Sequence, residues 1–238
     1  MRDSYLYPDV DVLKNKLGIK DESTLDRIEA EYSRANMQIL YSNGYNNFSK
    51  NSVCDIHKKL FEDVYDWAGK YRTINLIKRE ELLAGKSVWY SDVDNIERDL
   101  NKAWKDITKV NWSALTAEEF AIKAAHLFPP LWQTHPFREG NTRTVVTLLV
   151  LFIESYGYYV DKLLLAKSAG YVRNAFVLAS FDQNSEYVYL ERILKDAICT
   201  EPIAYNDEGK RIVSPISKSK YKKYNSENYK AKPHSYVG

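Results

Sequence analysis

Nine consecutive residues, His135-Pro136-Phe137-Arg138-Glu139-Gly140-Asn141-Thr142-Arg143, bring together groups suited to handling a phosphate ester. Imidazole is the side chain whose ordinary pKa lies near neutrality, so His135 can take a proton from an attacking hydroxyl. Glu139 offers a hard carboxylate oxygen for Mg2+, an ion that usually binds through one or two carboxylates plus substrate phosphates. Gly140 lets the backbone approach an anion closely. Asn141 stands where the chain enters a helix, where it can cap that helix or hydrogen-bond a phosphate oxygen. Arg143, one turn in, supplies planar charge-assisted donors. Phe137 is expected to point inward and anchor the loop. The helix start itself has unpaired N–H groups and the positive end of a dipole, a ready anion site. Taken singly these features are weak: Gly-Asn also serves as a plain cap, and His-Pro as a plain turn.

The elements around this segment read as helical. Thr142 to Tyr156, stopped by Gly157, is apolar on nearly all sides and belongs in the middle of a helical core. Asp11 to Gly18 reads as a short helix ended by glycine. Asp21 or Ser23 can cap a long helix from about Leu25 to Leu40, with Leu25, Ile28, Tyr32, Ile39 and Leu40 on its apolar side. Val53, Ile56, His57, Leu60, Phe61 and Val64 form another stripe, which makes His57 a packed core histidine rather than a ligand. Further helices are expected over Asp92–Ile107, after the Thr116/Glu119 capping box up to Pro129, and over Leu163–Leu178 and Tyr187–Ala197. Between Thr73 and Tyr90 the period changes to alternating β-prone residues with a glycine break, the pattern of one irregular hairpin. A lone hairpin is marginal in water, so it must lie against helices or a partner.

Composition sets outer limits. The 238 residues are 45% apolar, enough for a sizeable core, and mean hydropathy of −0.48 fits a soluble chain. No run is long enough to cross a bilayer, and Met1-Arg2-Asp3-Ser4-Tyr5 lacks the apolar core of a secretion signal. Two cysteines, Cys54 and Cys199, cannot form a disulfide framework, so a cytoplasmic address is the simplest expectation. Net charge is +2, yet residues 210–238 hold eight Lys/Arg against Glu227 alone. That basic, tyrosine-rich tail, 206–238, reads as a solvated terminus in preference to a nucleic-acid contact. Residues 1–205 read as a single domain.

The 135–143 segment resembles the signature of the Fic family, H-P-F-x-[D/E]-G-N-[G/K]-R-x-x-R. Tyr5-Leu6-Tyr7-Pro8, Val12-Leu13-Lys14-Asn15-Lys16-Leu17-Gly18 and Trp67-Ala68-Gly69-Lys70-Tyr71-Arg72-Thr73-Ile74-Asn75 also look like parts of bacterial Fic proteins, so the similarity covers residues 5 to about 200. The resemblance implies an all-α Fic-fold helical bundle with one β-hairpin flap, here about 73–90. It implies transfer of AMP from ATP to Ser, Thr or Tyr hydroxyls of a target protein and of the chain itself. Carried over, His135 is the general base and Glu139 holds Mg2+ (or Mn2+). Gly140, Asn141, Thr142 and Arg143 cradle the phosphates. The protein substrate would dock on the flap by strand addition, and an exposed hairpin also invites self-association.

Two positions depart from the signature. Thr142 replaces Gly or Lys, and Val146 stands where a second arginine would hold the terminal phosphate and receive an inhibitory glutamate. The inhibitory pattern [S/T]-x-x-x-E-[G/N] is also missing, since Thr24 to Glu29 is one residue too long. The chain is therefore expected to lack that form of inhibition in cis, with no glutamate at Arg143. Two alternatives to AMP transfer remain: a Fic-fold kinase or other phosphate-group transferase, or a catalytically weak binding protein.

Overall fold

The computed structural model describes residues 3–181, 184–206 and 211–212. Most of the basic tail therefore lies outside the described residues. Helix dominates, with α1 (Glu22–Asn43), α2 (Ser52–Phe61), α3 (Ile96–Thr108), α4 (Ala117–Leu127), α5 (Pro129–Thr134) and α6 (Asn141–Ser155) in the first two thirds. Then follow β1 (Tyr159–Val160), α7 (Lys162–Lys167), α8 (Ala169–Ala179), α9 (Val188–Ala197), β2 (Ile198–Cys199), β3 (Ala204–Tyr205) and β4 (Arg211–Ile212). The strands form two antiparallel pairs, β1 with β2 and β3 with β4. Among the described residues no helix is long and apolar enough to cross a membrane.

The chain divides into two compact units interleaved in sequence. One comprises Met1–Leu76, Tyr90–Lys105 and Pro130–Phe152 and contains the whole 135–143 segment. Its core combines Val53, Ile56, Leu60 and Phe61 of α2, Ile96 and Leu100 of α3, Phe137, and Val145, Leu148 and Leu149 of α6. Packing of α1 on α2 closes one side. Phe152 receives Phe48 and Trp104 edge-on, at 5.3 and 6.2 Å between ring centres. The other unit comprises Ile77–Trp89, Asp106–Pro129 and Ile153–Gly238. There α4 packs on α9 and α9 on α8, around Phe120, Phe176, Leu190 and Ile193.

Local rules account for several of these elements. The Asp21 carboxylate accepts from Thr24 N–H at 2.9 Å and starts α1. Thr116 and Glu119 form the reciprocal capping box of α4, with Thr116 N–H donating to Glu119 at 2.9 Å. Of the irregular hairpin expected over about 73–90, one isolated antiparallel bridge forms, Arg79 with Ser87, around a 3-10 turn over Glu81–Leu83, and no strand is built there. Glu80, buried, accepts from Arg173 of α8 at 2.7 Å, which fixes that turn within its unit.

Three expectations are corrected. Residues 11–18 are not helical. Lys14 N–H donates to Tyr5 O at 2.8 Å and Tyr7 N–H to Val12 O at 3.0 Å, pairing this stretch with the N-terminal one. Asn15 Oδ1 accepts from Ile19 N–H at 2.9 Å, so a side-chain turn wins over the helix. The stretch expected as one helix over 163–178 breaks at Ser168 into α7 and α8. In α1 the helix is as expected but the buried face is not. Leu25, Glu29, Ser33 and Asn36 point inward, while Tyr32 and Ile39 are 41% and 45% exposed. A buried polar stripe is tolerated only where partners await it: Asn36 donates to Asp63 at 2.7 Å, and the partner shared by Glu29 and Ser33 belongs to the site.

Candidate active site

The 135–143 segment leaves α5, makes a buried loop, and enters α6 at Asn141. Two of its residues adopt left-handed backbone, His135 at φ 47° and Gly140 at φ 80°. For histidine this conformation is unfavourable and persists only where the surroundings enforce it. At Gly140 there is a second constraint, since a Cβ would lie 2.4 Å from the buried ring of Phe61.

The surroundings act through the loop's own backbone groups. Arg72 Nε donates to His135 O at 2.8 Å, and Arg72 N–H donates to Pro136 O at 2.8 Å. Asn141 uses both ends of its amide on one residue: Oδ1 accepts from Phe137 N–H and Nδ2 donates to Phe137 O, each at 2.9 Å. His57 Nε2 lies 3.1 Å from Glu139 O, and His57 Nδ1 accepts from Gly69 N–H at 2.8 Å. That second bond leaves the proton on Nε2, so the neutral ring donates to Glu139 O. The imidazole also stacks on Phe137 at 3.7 Å, and neither ring is accessible to solvent. His57 is thus a core histidine as expected, and it also carries a loop carbonyl. Burial, the largest effect, lowers its pKa to about 3.

Around the reactive groups the side chains are ordered by contact. Tyr90 stacks on the His135 ring at 4.0 Å, and Trp132 meets it edge-on at 5.4 Å. The Trp132 indole N–H donates to Thr142 Oγ1 at 2.8 Å. The hydroxyl at position 142, a departure from the signature, therefore serves a buried tryptophan that Gly or Lys would leave without this acceptor. Glu139 turns its carboxylate onto Gly140 N–H at 3.0 Å. In the first turn of α6 the N–H groups of Asn141, Thr142 and Arg143 have no intrahelical acceptor.

Arg143 lies 4.8 Å above the Phe61 ring and donates to Ser33 Oγ at 2.8 Å and to the Glu29 carboxylate. Glu29 also accepts from the Tyr65 hydroxyl. Burial and then the Glu29 charge push the Tyr65 pKa well above the usual range, so it stays a donor. Arg143, Glu29 and Tyr65 line a polar cavity of about 220 Å³ together with Arg138, Glu139, Asp26 and Leu25. The expectation that no glutamate reaches Arg143 is overturned. Spacing along the chain could not reveal the contact, because packing of α1 on α2, not a local motif, delivers Glu29. Two carboxylates, Glu29 and Glu139, thus rest on donors suited to phosphate oxygens.

The arrangement places an imidazole, a carboxylate, a helix N-terminus and a guanidinium within one unit. Comparison with known proteins fits it. The Fic/DOC family model matches residues 47–153. The chain is 30% identical over 164 residues to "Probable protein adenylyltransferase y4lH" of Sinorhizobium fredii, covering 68% of this chain and 81% of that protein. The chain belongs to the Fic/DOC family. It is also 32% identical over 160 residues to the protein adenylyltransferase VbhT of Bartonella schoenbuchensis, covering 67% of this chain and only 32% of that one. A solved N-terminal Fic domain of a VirB-translocated Bep effector from Bartonella quintana, with bound ADP, is similar at TM-score 0.67 and 25% identity. It covers 82% of this chain and 94% of that one.

In this Fic protein the charged side chains of the 135–143 segment also reach beyond the loop: Arg138 Nε donates to Asp3 at 2.8 Å, and Arg143 donates to Ser33 of α1. Sequence reasoning missed Arg72 and Glu29 as site residues and assigned His57 to the core alone. Arg72 was legible only as part of a family-like string, and Glu29 only as a near miss in spacing.

Three outcomes follow. Gly140→Ala meets both left-handed backbone and the Phe61 ring, and should destabilise the chain by about 3 kcal/mol in urea unfolding. His57 has a folded pKa below its ordinary 6.5, so the unfolded chain binds its proton first as pH falls. Its contribution is complete above about pH 6.5 and declines toward pH 3, by up to ~1.4 kcal/mol per pH unit. In His57→Gln, which still offers an N–H to Glu139 O, that component of the pH slope should vanish; an unchanged slope would show that His57 is not its source. Glu29→Gln removes the charge from Arg143 but keeps an acceptor for Tyr65. ATP affinity, measured by calorimetry, should rise about fivefold, the worth of a partly exposed ion pair of ~1 kcal/mol. Weaker binding would instead make Glu29 a support for Arg143.

Proposed function

We propose that this chain transfers AMP from ATP to a Ser, Thr or Tyr hydroxyl of a protein, itself included. The observation that carries the reading is the geometry of His135, held in left-handed backbone at the start of the loop that leads into α6. Its ring packs against Trp132, whose indole N–H reaches Thr142 in the first turn of α6, which supports an imidazole acting near that helix start. Relatives named protein adenylyltransferase support the chemical class. A related Fic domain with bound ADP supports the nucleotide.

In this reading the acceptor oxygen attacks the α-phosphorus and its proton passes to His135. The new O–P bond forms as the bond to the bridging oxygen breaks, and pyrophosphate leaves. Backbone N–H groups of Gly140, Asn141, Thr142 and Arg143, with the Arg143 guanidinium, receive the phosphate oxygens. Glu139 would swing from Gly140 N–H to hold Mg2+, which neutralises phosphate charge when bound. Among the described residues no three ligating side chains cluster. A single carboxylate completed by phosphates and water fits the habits of this ion. Asn141 acts through its backbone N–H, its amide being committed to Phe137. The acceptor segment adds as a strand along Ile77–Trp89, where Ile77 and Trp89 are 83% and 77% exposed.

The deciding measurement uses ATP labelled at the α- or the γ-phosphate with Mg2+ or Mn2+. Label from the α-position alone is expected on protein. Label from the γ-position alone would replace the reading with a kinase, the alternative that Val146 in place of the second arginine favours. Label from neither would leave a binding protein. His135→Ala should abolish the signal, and retained labelling would reject His135 as the base.

A further inference from the structure

The role of Arg72 goes beyond that reading while resting on it. Arg72 is 2% exposed, and its guanidinium lies among main-chain carbonyls. Nε donates to His135 O at 2.8 Å, Nη1 to Ile74 O at 2.7 Å, and Nη2 to Ser91 O. Its own N–H donates to Pro136 O at 2.8 Å. Ile74 lies just before the segment Ile77–Trp89 and Ser91 just after it, so one cation holds the outgoing and returning chain together. The same cation holds the carbonyl of the residue whose backbone is left-handed and whose ring is the proposed base.

A buried cation whose hydrogen bonds go to neutral carbonyls, with the Asp92 charge as its electrostatic counterpart, is a costly choice if structure were its only purpose, because an apolar residue could fill the volume. The planar fork is what this place uses. Three carbonyls from three chain stretches converge on one rigid plane, which a lysine point charge on a flexible stem cannot reproduce. Neighbouring groups reinforce the same junction. Ser91 Oγ donates to Asp99 at 2.6 Å, Val93 N–H donates to Asn75 Oδ1 at 2.9 Å, and Thr73 N–H donates to the Tyr5 hydroxyl at 3.1 Å.

We propose that Arg72 is a positioning residue that ties the two roots of the Ile77–Trp89 segment to the backbone of His135. The backbone of the base and the two stretches that lead into and out of that segment are then held by one guanidinium. The residue touches neither nucleotide nor acceptor. It acts on the transfer step by fixing the backbone from which the His135 imidazole projects.

The test uses the full chain carrying Arg72→Lys, with Arg72→Gln as a second variant that avoids a misplaced buried charge. The acceptor probe is a His135→Ala copy of the same chain, and label is supplied as α-labelled ATP. ATP affinity by calorimetry should stay within about twofold, while kcat for transfer falls on the order of 100-fold, the cost of a small misplacement of reacting groups. Hydrogen exchange should accelerate together at 74–76, 91–93 and 135–137, with α2 still protected. Wild-type kcat in both variants would overturn the proposal. So would faster exchange at 74–76 and 91–93 with 135–137 unchanged, or uniform acceleration throughout, which marks a purely structural role. If the unaltered chain transfers no label, the transferase reading fails, and the exchange pattern still decides whether Arg72 couples the two places.

Discussion

A buried loop must find partners for its own backbone, and in this protein that requirement organises everything near the site. Between His135 and Gly140 the chain is neither helix nor strand, yet most of it is inaccessible to solvent. Unpaired buried carbonyls and N–H groups each cost free energy comparable to a lost hydrogen bond, so partners have to come from elsewhere. They come from Arg72, His57 and Asn141, and from Thr144, whose N–H and hydroxyl both bond Gly140 O, at 3.0 and 2.9 Å. Each partner is itself buried, so the loop can be held only if α2, the 69–74 turn and α6 are already in place.

The same economy explains why chemistry and stability are hard to separate here. His57 reads as packing, and it is packing, stacked on Phe137. Its ring nitrogens nevertheless span Gly69 and Glu139, which ties the carboxylate-bearing residue to the turn that leads to Arg72. On the other side of the segment, Arg143 is held by Glu29, Ser33 and the face of Phe61. A guanidinium so held is preorganised, and it can receive another anion only by giving up the Glu29 carboxylate.

Much of the architecture was legible in the chain. Periodicity identified the helices, the Thr116/Glu119 pair marked the start of α4, and the glycine break announced the irregular stretch that holds the Arg79–Ser87 bridge. The failures have physical causes. In α1 the apolar residues Tyr32 and Ile39 suggested the wrong face, because a periodic pattern cannot say that Arg143 and Asp63 wait on the other side. Residues 11–18 had a helical look, but Asn15 and backbone pairing with 5–7 offered more bonds than an isolated short helix could.

The sequence by itself determined the reactive groups and their order, since a histidine, a carboxylate, a glycine and an arginine around one helix start are local facts. It also determined the family, because the signature is contiguous. Only the tertiary structure decided which groups those residues meet. Glu29 and Arg143 are far apart in sequence, as are Arg72 and His135, and no local pattern records either pair. The physical reason is that buried charges and carbonyls are satisfied by whatever packing brings near, and packing is a property of the whole unit. The motif names the chemistry, and the fold decides how each group is held and what it must release before reacting.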